Sequence, residues 1–440
     1  MPTRPRSRPP VGSSGESPSS GRATLSPARV RIALLALAMG GFAIGTTEFV
    51  AMGLLPQLAA DLLPEVAARS TEAANAQAGT LISAYALGVV VGAPTIAAAS
   101  ARAPRRKLLL WLLLAFTLGT VLSAILPSFG LVVVARFVAG LPHGAYFGIA
   151  SLVAAQLMGE GKRARGVAFV LAGLTIANVI GVPIVTWIGQ NAGWRVAYLV
   201  VAAIFAATFV AVALAVPAQD GNPEATLRRE LRAFTRVQVW LALLIGAIGF
   251  GGFFAVYTYV APMVTDVTGL PEWSVPLALV VVGLGMTVGN LAGGWWADRD
   301  VRTALLSLFV LLIASLVGLV LTASNPVGLF GFLFLIGGSA AALSPGIQIR
   351  LMDVAHDSQS IAAALNHSAL NTGNAVGAAL GGVTVAAGLG YTSPALVGVG
   401  LSIAGLLIAL ASFGLDRHRR GSRRPVDGTR PTTQPIGIGG

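Results

Sequence analysis

Between residues 32 and 415, long apolar blocks alternate with short polar turns. Blocks fall at 32–55, 78–100, 107–126, 130–157, 167–189 and 194–216, and a polar stretch, 217–237, follows them. Six more fall at 238–264, 275–297, 303–323, 326–349, 359–388 and 393–415. A helix crossing a bilayer needs about 20 mostly apolar residues, and each block supplies roughly that length. The pattern predicts an all-α integral membrane protein of twelve transmembrane helices in two pseudo-symmetric six-helix bundles. The units are a basic disordered tail 1–31, bundles 32–216 and 238–415, a cytoplasmic linker 217–237 and a second basic disordered tail 416–440. The first block is too long for the apolar core of a cleavable leader, and no clear A-x-A cleavage site adjoins its end, so it reads as a retained helix.

Composition agrees with the pattern. Of 440 residues 55% are hydrophobic and only 10% charged, against about 25% charged in soluble proteins. The 54 glycines and 24 prolines would be awkward in soluble helices, whereas membrane helices tolerate both. The net charge of +12 raises nucleic acid as a partner, but position removes it. All 29 basic residues except Arg69, Arg136 and Arg195 fall in the two tails and the even-numbered turns. That is the positive-inside distribution, with both termini in the cytoplasm of a plasma (inner) membrane protein and no nucleic-acid partner. The arginine-rich tails suit anionic lipid headgroups. There is no cysteine, and the four histidines lack metal-ligand spacing, so no metal site is expected.

Small residues form a repeat. The stripes are Ala84, Gly88 and Gly92; Gly173, Ala177 and Gly181; Gly285, Gly289 and Gly293; and Gly373, Gly377 and Gly381. They fall on the second, fifth, eighth and eleventh helices, and such stripes admit close backbone approach. They predict that these four helices form the contact between the halves, with Gly283 more tolerant of bulk than Gly289 or Gly377.

Glu48 and Arg136 are the clear charges deep in apolar blocks. Such residues are expensive in a bilayer and are functional candidates by default. Glu48 lies six residues short of Leu54 and Arg136 six residues past Gly130, each about 9 Å deep at 1.5 Å per residue, so the two are level. A carboxylate can exchange a proton, whereas Arg stays protonated and tunes it. A static ion pair between two helices is the other reading. His143 lies on the same helix as Arg136, roughly 10 Å deeper. It is a candidate for substrate binding or proton relay, and equally for an interior hydrogen-bonded group. Asn178, Tyr257, Tyr259, His367 and Asn371, with Thr175, Asn290, Gln348 and Asn374, offer neutral polar groups for an amphipathic or sugar-like solute, or for interhelical hydrogen bonds.

These residues bring a resemblance into view. The first helix reads Gly45-Thr-Thr-Glu48, then Leu55-Pro56; the fourth reads Arg136-Phe-Val-Ala-Gly140-Leu-Pro-His143-Gly144. Over roughly residues 30–415 the chain resembles the major facilitator superfamily. More closely, it is similar to the twelve-helix drug:proton antiporter group of arabinose-type sugar exporters and chloramphenicol exporters. The group's fourth-helix motif, an Arg followed four residues on by Gly, matches Arg136 and Gly140. Its cytoplasmic gate motif matches Arg102, Arg105 and Arg106, with Ala101 in place of the acid and Pro104 in place of Gly; the second copy matches Gly294, Asp298 and Arg299. Its fifth-helix signature, an adjacent Gly-Pro, is here Gly181-Val182-Pro183. The resemblance implies that helices one, four, seven and ten line a central cavity, with Glu48 and Arg136 coupling transport to protons. The implied activity is proton-coupled efflux of a small organic solute by a monomer, with no cofactor beyond the proton. Uptake symport or facilitated diffusion on the same fold is the alternative. A membrane-embedded transferase or hydrolase would need acidic pairs, for which only Asp298/Asp300 and Asp353/Asp357 offer themselves. Asp298 belongs to the gate motif and the Asp353/Asp357 pair suits a short turn, so no enzyme is expected. No phosphate-binding G-x-x-x-x-G-K-[ST] pattern occurs, so ATP-driven pumping within this chain is not expected either.

Overall fold

A computed structural model describes residues 26–100, 103–159, 162–219, 235–355 and 359–421. Arg102, His356, Asp357, the tails 1–25 and 422–440, and most of the linker lie outside the described residues. Among the described residues, eleven helices are long and apolar enough to span a membrane. In the first half they are α1 Pro27–Gly53, α2 Thr71–Ile96, α3 Arg105–Ile125, α4 Phe129–Met158, α5 Arg165–Ala192 and α6 Trp194–Ala215. In the second half they are α7 Val237–Tyr257, α8 Ser274–Ala297, α9 Val301–Thr322, α10 Pro326–Ala355 and, after α11, α12 Ser393–Asp416. The twelfth rod, α11 Gln359–Ala386, is 28 residues long. His367, Asn371 and Asn374 along it reduce its hydropathy.

Local breaks follow the proline and glycine pattern. α1 stops at Gly53, where Leu54 leaves helical geometry ahead of Pro56, and short helices Leu55–Leu62 and Pro64–Ala67 cover that end. α4 is interrupted at Leu141-Pro142, between Gly140 and His143. Proline lacks the N–H that would continue the ladder, and its ring crowds the carbonyl four residues back. α5 carries a π-turn at Ala177–Gly181, just before Pro183, and α7 carries another at Ile245–Gly249. The seventh block is expected to run unbroken to 264, but the structure breaks it at Thr258-Tyr259, ahead of Pro262. Asp300 caps α9 by accepting from the N–H groups of Arg302 (3.0 Å) and Thr303 (3.2 Å). The Thr303 hydroxyl, and then these N–H groups, hold its carboxyl below the usual carboxylate range. Capping thus accounts for Asp300 without enzymatic chemistry.

The glycine stripes hold helices together as expected, but within the halves. A methyl added at Gly88 or Gly92 would overlap the α4 carbonyls of Phe137 and Leu141. Gly173 faces the Ala38 carbonyl on α1, and Gly181 faces Thr46 and Phe42 there. Gly285, Gly289 and Gly293 face the α10 carbonyls of Phe334, Gly338 and Ala342. Gly373 and Gly377 face Gly251 and its neighbours on α7. The pairings α2 with α4 and α5 with α1 therefore recur as α8 with α10 and α11 with α7.

The halves do meet through α2 against α11 and α5 against α8, as expected, but on other faces of those helices. Ser83 donates to the Ala375 carbonyl at 3.2 Å across one seam. Across the other, a methyl on Gly283 would lie 2.5 Å from the Asn178 carbonyl oxygen. Gly283 is therefore a crowded interface position, which corrects its expected tolerance. At the end bearing the odd-numbered loops, Asn75 donates to the Tyr391 hydroxyl at 2.7 Å and Gln190 to the Glu272 carbonyl at 3.1 Å. Gln57 donates to the Glu272 carboxylate at the same end.

Arg350, counted above with the tenth turn, lies inside α10 and is buried. Its guanidinium donates to Gln238 Oε1 (3.0 Å) and Ser412 Oγ (2.9 Å), pairs with Asp416 Oδ2 (2.6 Å) and lies 4.7 Å from the Phe413 ring centroid. One side chain thus ties α7, α10 and α12. Arg350→Lys keeps the charge but loses the planar fork, and should cost about 1.5 kcal/mol. Thermal unfolding in detergent checks this, and an unchanged midpoint would mean that the fork adds nothing.

Candidate functional site

The buried polar residues collect where α1, α2, α4 and α11 meet. On α1, Thr47 and Glu48 are consecutive, so their side chains point about 100° apart. Thr47 turns to α4: Arg136 Nη1 donates to its hydroxyl at 3.3 Å and Nη2 to its carbonyl at 3.1 Å. Glu48 turns to α11: Asn374 Nδ2 lies 3.4 Å from its Oε1. Its other oxygen is 4.0 Å from His143 Nδ1. Arg136 and Glu48 are thus neighbours in depth, as expected, but the guanidinium takes Thr47 rather than the carboxylate. Helix phase is the reason, because one residue's rotation separates the two directions.

Tyr85 on α2 closes the circuit. Its ring lies under the Arg136 guanidinium, 4.4 Å from centroid to Cζ, and its hydroxyl is 3.2 Å from His143 Nδ1. Tyr198 on α6 adds a second face at 5.5 Å. A fully buried guanidinium between two rings gains roughly 2 kcal/mol from each favourable cation–π contact. His143 stands between Tyr85 and Glu48, just beyond the proline break that ends the first part of α4. The Oη–Nδ1 contact takes either direction, according to which ring nitrogen carries the proton.

The other half enters through α11. The His367 ring is 5.9 Å from that of His143 and lies parallel to Phe147 at 5.3 Å. The two histidines, far apart in sequence, therefore meet across the seam between the halves. Asn371 donates to the His367 carbonyl at 3.1 Å, and its Oδ1 lacks a hydrogen-bond partner. On α7, Tyr257 packs 5.6 Å from Phe49, the residue after Glu48, and its buried hydroxyl also lacks a partner. Asn178 sits in the α5 π-turn, donates to the Leu174 carbonyl at 3.0 Å and leaves Oδ1 unpaired. Each such atom costs about 1–3 kcal/mol if nothing binds it. Unpaired buried groups of this kind on α5, α7 and α11 are suited to receiving a polar solute.

Tyr259 does not join this group. Its hydroxyl donates to the Ala378 carbonyl at 3.0 Å and its ring lies against Gly79 and Gly382, so it is a wedge between α2, α7 and α11. Charged residues from the two gate motifs also act apart from the site. Arg105 opens α3, and Arg106 donates to the Ala213 carbonyl on α6. Arg299 donates to the Trp295 carbonyl at 3.0 Å and stacks on that ring at 3.5 Å rather than engaging the exposed Asp298. The implied lining by helices one, four, seven and ten is also modified, because α11 supplies Asn374 beside Glu48 and α2 supplies Tyr85 against His143 and Arg136. Tyr85 and Thr47 escaped the sequence reading. The signal available for Tyr85 was a lone tyrosine in an apolar block one turn from a glycine stripe.

The whole arrangement lies inside a helical bundle whose likeness to known proteins is extensive. A family model described as Major Facilitator Superfamily matches residues 37–360 and 274–438. The inner membrane transport protein YdhP of Escherichia coli (strain K12) is 38% identical over 382 residues, covering 87% of this chain and 95% of that protein. A chloramphenicol resistance protein of Streptomyces lividans is 35% identical, covering 86% of this chain and 94% of that protein. The crystal structure of a D-xylose-proton symporter superposes with a TM-score of 0.67 at 18% identity, covering 86% of this chain and 97% of that one.

Proposed function

The chain belongs to the major facilitator superfamily, a multi-pass membrane transporter of a small solute and not an enzyme, and from that premise we propose that it exports a small organic solute in exchange for protons. Glu48 is the proton-exchanging group. Arg136, permanently charged, tunes it from the adjacent Thr47. His143, His367, Asn371 and Tyr257 form the solute-binding wall, with Asn178 at its edge. The observation that carries this reading is one buried carboxylate held between the halves, with α1 on one side and Asn374 of α11 on the other. A carboxylate that changes charge there alters the seam that must open on each side in turn. Solute and proton then compete, as linkage requires for exchange.

Further support for export comes from the relatedness to a chloramphenicol resistance protein. The positive-inside distribution supports a plasma (inner) membrane location with both termini cytoplasmic. The protein acts as a monomer and needs no cofactor, the proton being the coupling ion.

The test uses an efflux-deficient bacterial host preloaded with labelled sugars, chloramphenicol-like drugs or cationic dyes. The expected result is lowered retention of one solute class, abolished by a protonophore. Faster equilibration that a protonophore leaves unchanged would identify a facilitator and end the proton-exchange reading.

A further inference from the structure

At the end of the first half that bears its even-numbered turns, α1, α3 and α6 enclose a groove of about 730 Å³. Its wall is apolar and outward-facing: Ile32 and Leu35 are each more than half exposed, and Leu214 is 84% exposed, with Met39 beside them. Two arginines stand on its rim, Arg29 on α1 and Arg106 in the first turn of α3. Arg106 spends one nitrogen on the Ala213 carbonyl, while its buried Nε has no hydrogen-bond partner.

We propose that this groove is a binding site for an anionic phospholipid. Three observations converge on that occupant. First, apolar surface this exposed on a membrane helix faces acyl chains, and a concave stretch of it accepts one chain lengthwise. Second, the rim carries two guanidinium groups and, among the described residues, the groove's lining includes no acidic side chain. Guanidinium forks match phosphate geometry. Third, α3 begins after Pro104 with no side-chain cap and with Arg105, Arg106 and Lys107 in its first turn. Basic residues oppose the helix dipole there, so they do not stabilise the helix, whereas a phosphate at that position satisfies both the free N–H groups and the cations. Trp111, 69% exposed one turn further along α3, adds the aromatic side chain that favours the headgroup boundary. Basic pockets between membrane helices are a general means of selecting anionic headgroups.

The test uses the purified full-length chain, stripped of lipid in detergent and titrated by native mass spectrometry. The probes are phosphatidylglycerol, phosphatidylcholine with the same acyl chains, and inorganic phosphate. Phosphatidylglycerol is expected to bind at least about tenfold more tightly than phosphatidylcholine, and phosphate alone not detectably. Removing one rim charge in Arg29→Gln should weaken phosphatidylglycerol about fivefold and leave phosphatidylcholine unchanged. Because Arg106→Gln also removes the bond to Ala213, the exposed Arg29 provides the decisive variant, with thermal unfolding as the control for folding. A photoactivatable phosphatidylglycerol should cross-link to the segments 29–39 and 211–217. Equal affinity for the two lipids, an unaltered preference in Arg29→Gln, or cross-links confined to other helices would overturn the assignment.

Discussion

Glu48→Gln should abolish transport driven by a pH gradient, lowering it by at least about a hundredfold, the scale on which removal of a proton-transferring side chain acts. The same variant should fold and still exchange labelled for unlabelled solute across a membrane without a gradient. The argument is local. Glutamine has nearly the shape of glutamate, and its amide can still meet Asn374, which lies 3.4 Å from the carboxylate in the wild type. Arg136 stays seated, because its hydrogen bonds go to Thr47 and its face rests on Tyr85. What disappears is the group able to gain and lose a proton between the two halves. Proteoliposomes containing wild type or variant, with and without an imposed pH gradient, separate the two activities. Gradient-driven transport at wild-type rate in Glu48→Gln would remove Glu48 from the coupling step.

The largest effect on folding is expected at a glycine. Gly289→Leu places a side chain where the Gly338 carbonyl of α10 already sits. Backbone cannot swing aside as a flexible side chain can, so α8 and α10 must part along their length. That should cost more than about 3 kcal/mol, a large share of an ordinary folding free energy. Gly294→Ala, on the same helix where nothing lies within 4 Å of the new methyl, should be neutral or stabilising by up to about 1 kcal/mol. Expression level and unfolding midpoint in detergent report both. Equal behaviour of the two variants would show that the α8–α10 contact is slack.

Much of this molecule was legible in its sequence, for identifiable reasons. Spanning helices declare themselves because hydrocarbon demands length and apolarity, and α10 and α12 differ from their blocks mainly at the ends. Glu48 and Arg136 were visible because a charge in an apolar block has few structural excuses. Their mutual geometry was not, since depth follows from counting residues, whereas azimuth depends on how each helix is rotated in the bundle. The glycine stripes announced close approach without naming the neighbour, which is why α2 and α5 were assigned the wrong faces for meeting the other half. Tyr85 was obscure because neutral polar residues occur throughout membrane helices; Asn374 stood out on the polar face of its helix, but not as the partner of Glu48. His143 and His367 lie on helices of different halves, and only the packing of α11 against the first half brings their rings together. Arg350 illustrates the opposite error. A basic residue near a block edge reads as a turn, yet Gln238, Ser412 and Asp416 hold it inside the bundle.

The polarity of α11 has a consequence for how the protein is made. His367, Asn371 and Asn374 place three hydrogen-bonding side chains on one helix that, unlike the other eleven rods, falls short as a spanning segment by composition. Polar residues near the middle of a nascent segment weigh against its partition from the translocon into lipid. α11 therefore has little tendency to enter the bilayer alone. Its polar face finds partners only once α1 and α4 are in place, and those were synthesised long before. The groups that equip the mature transporter thus make α11 a late and assisted entrant, carried in beside the strongly apolar α12 and docked onto a first half already assembled.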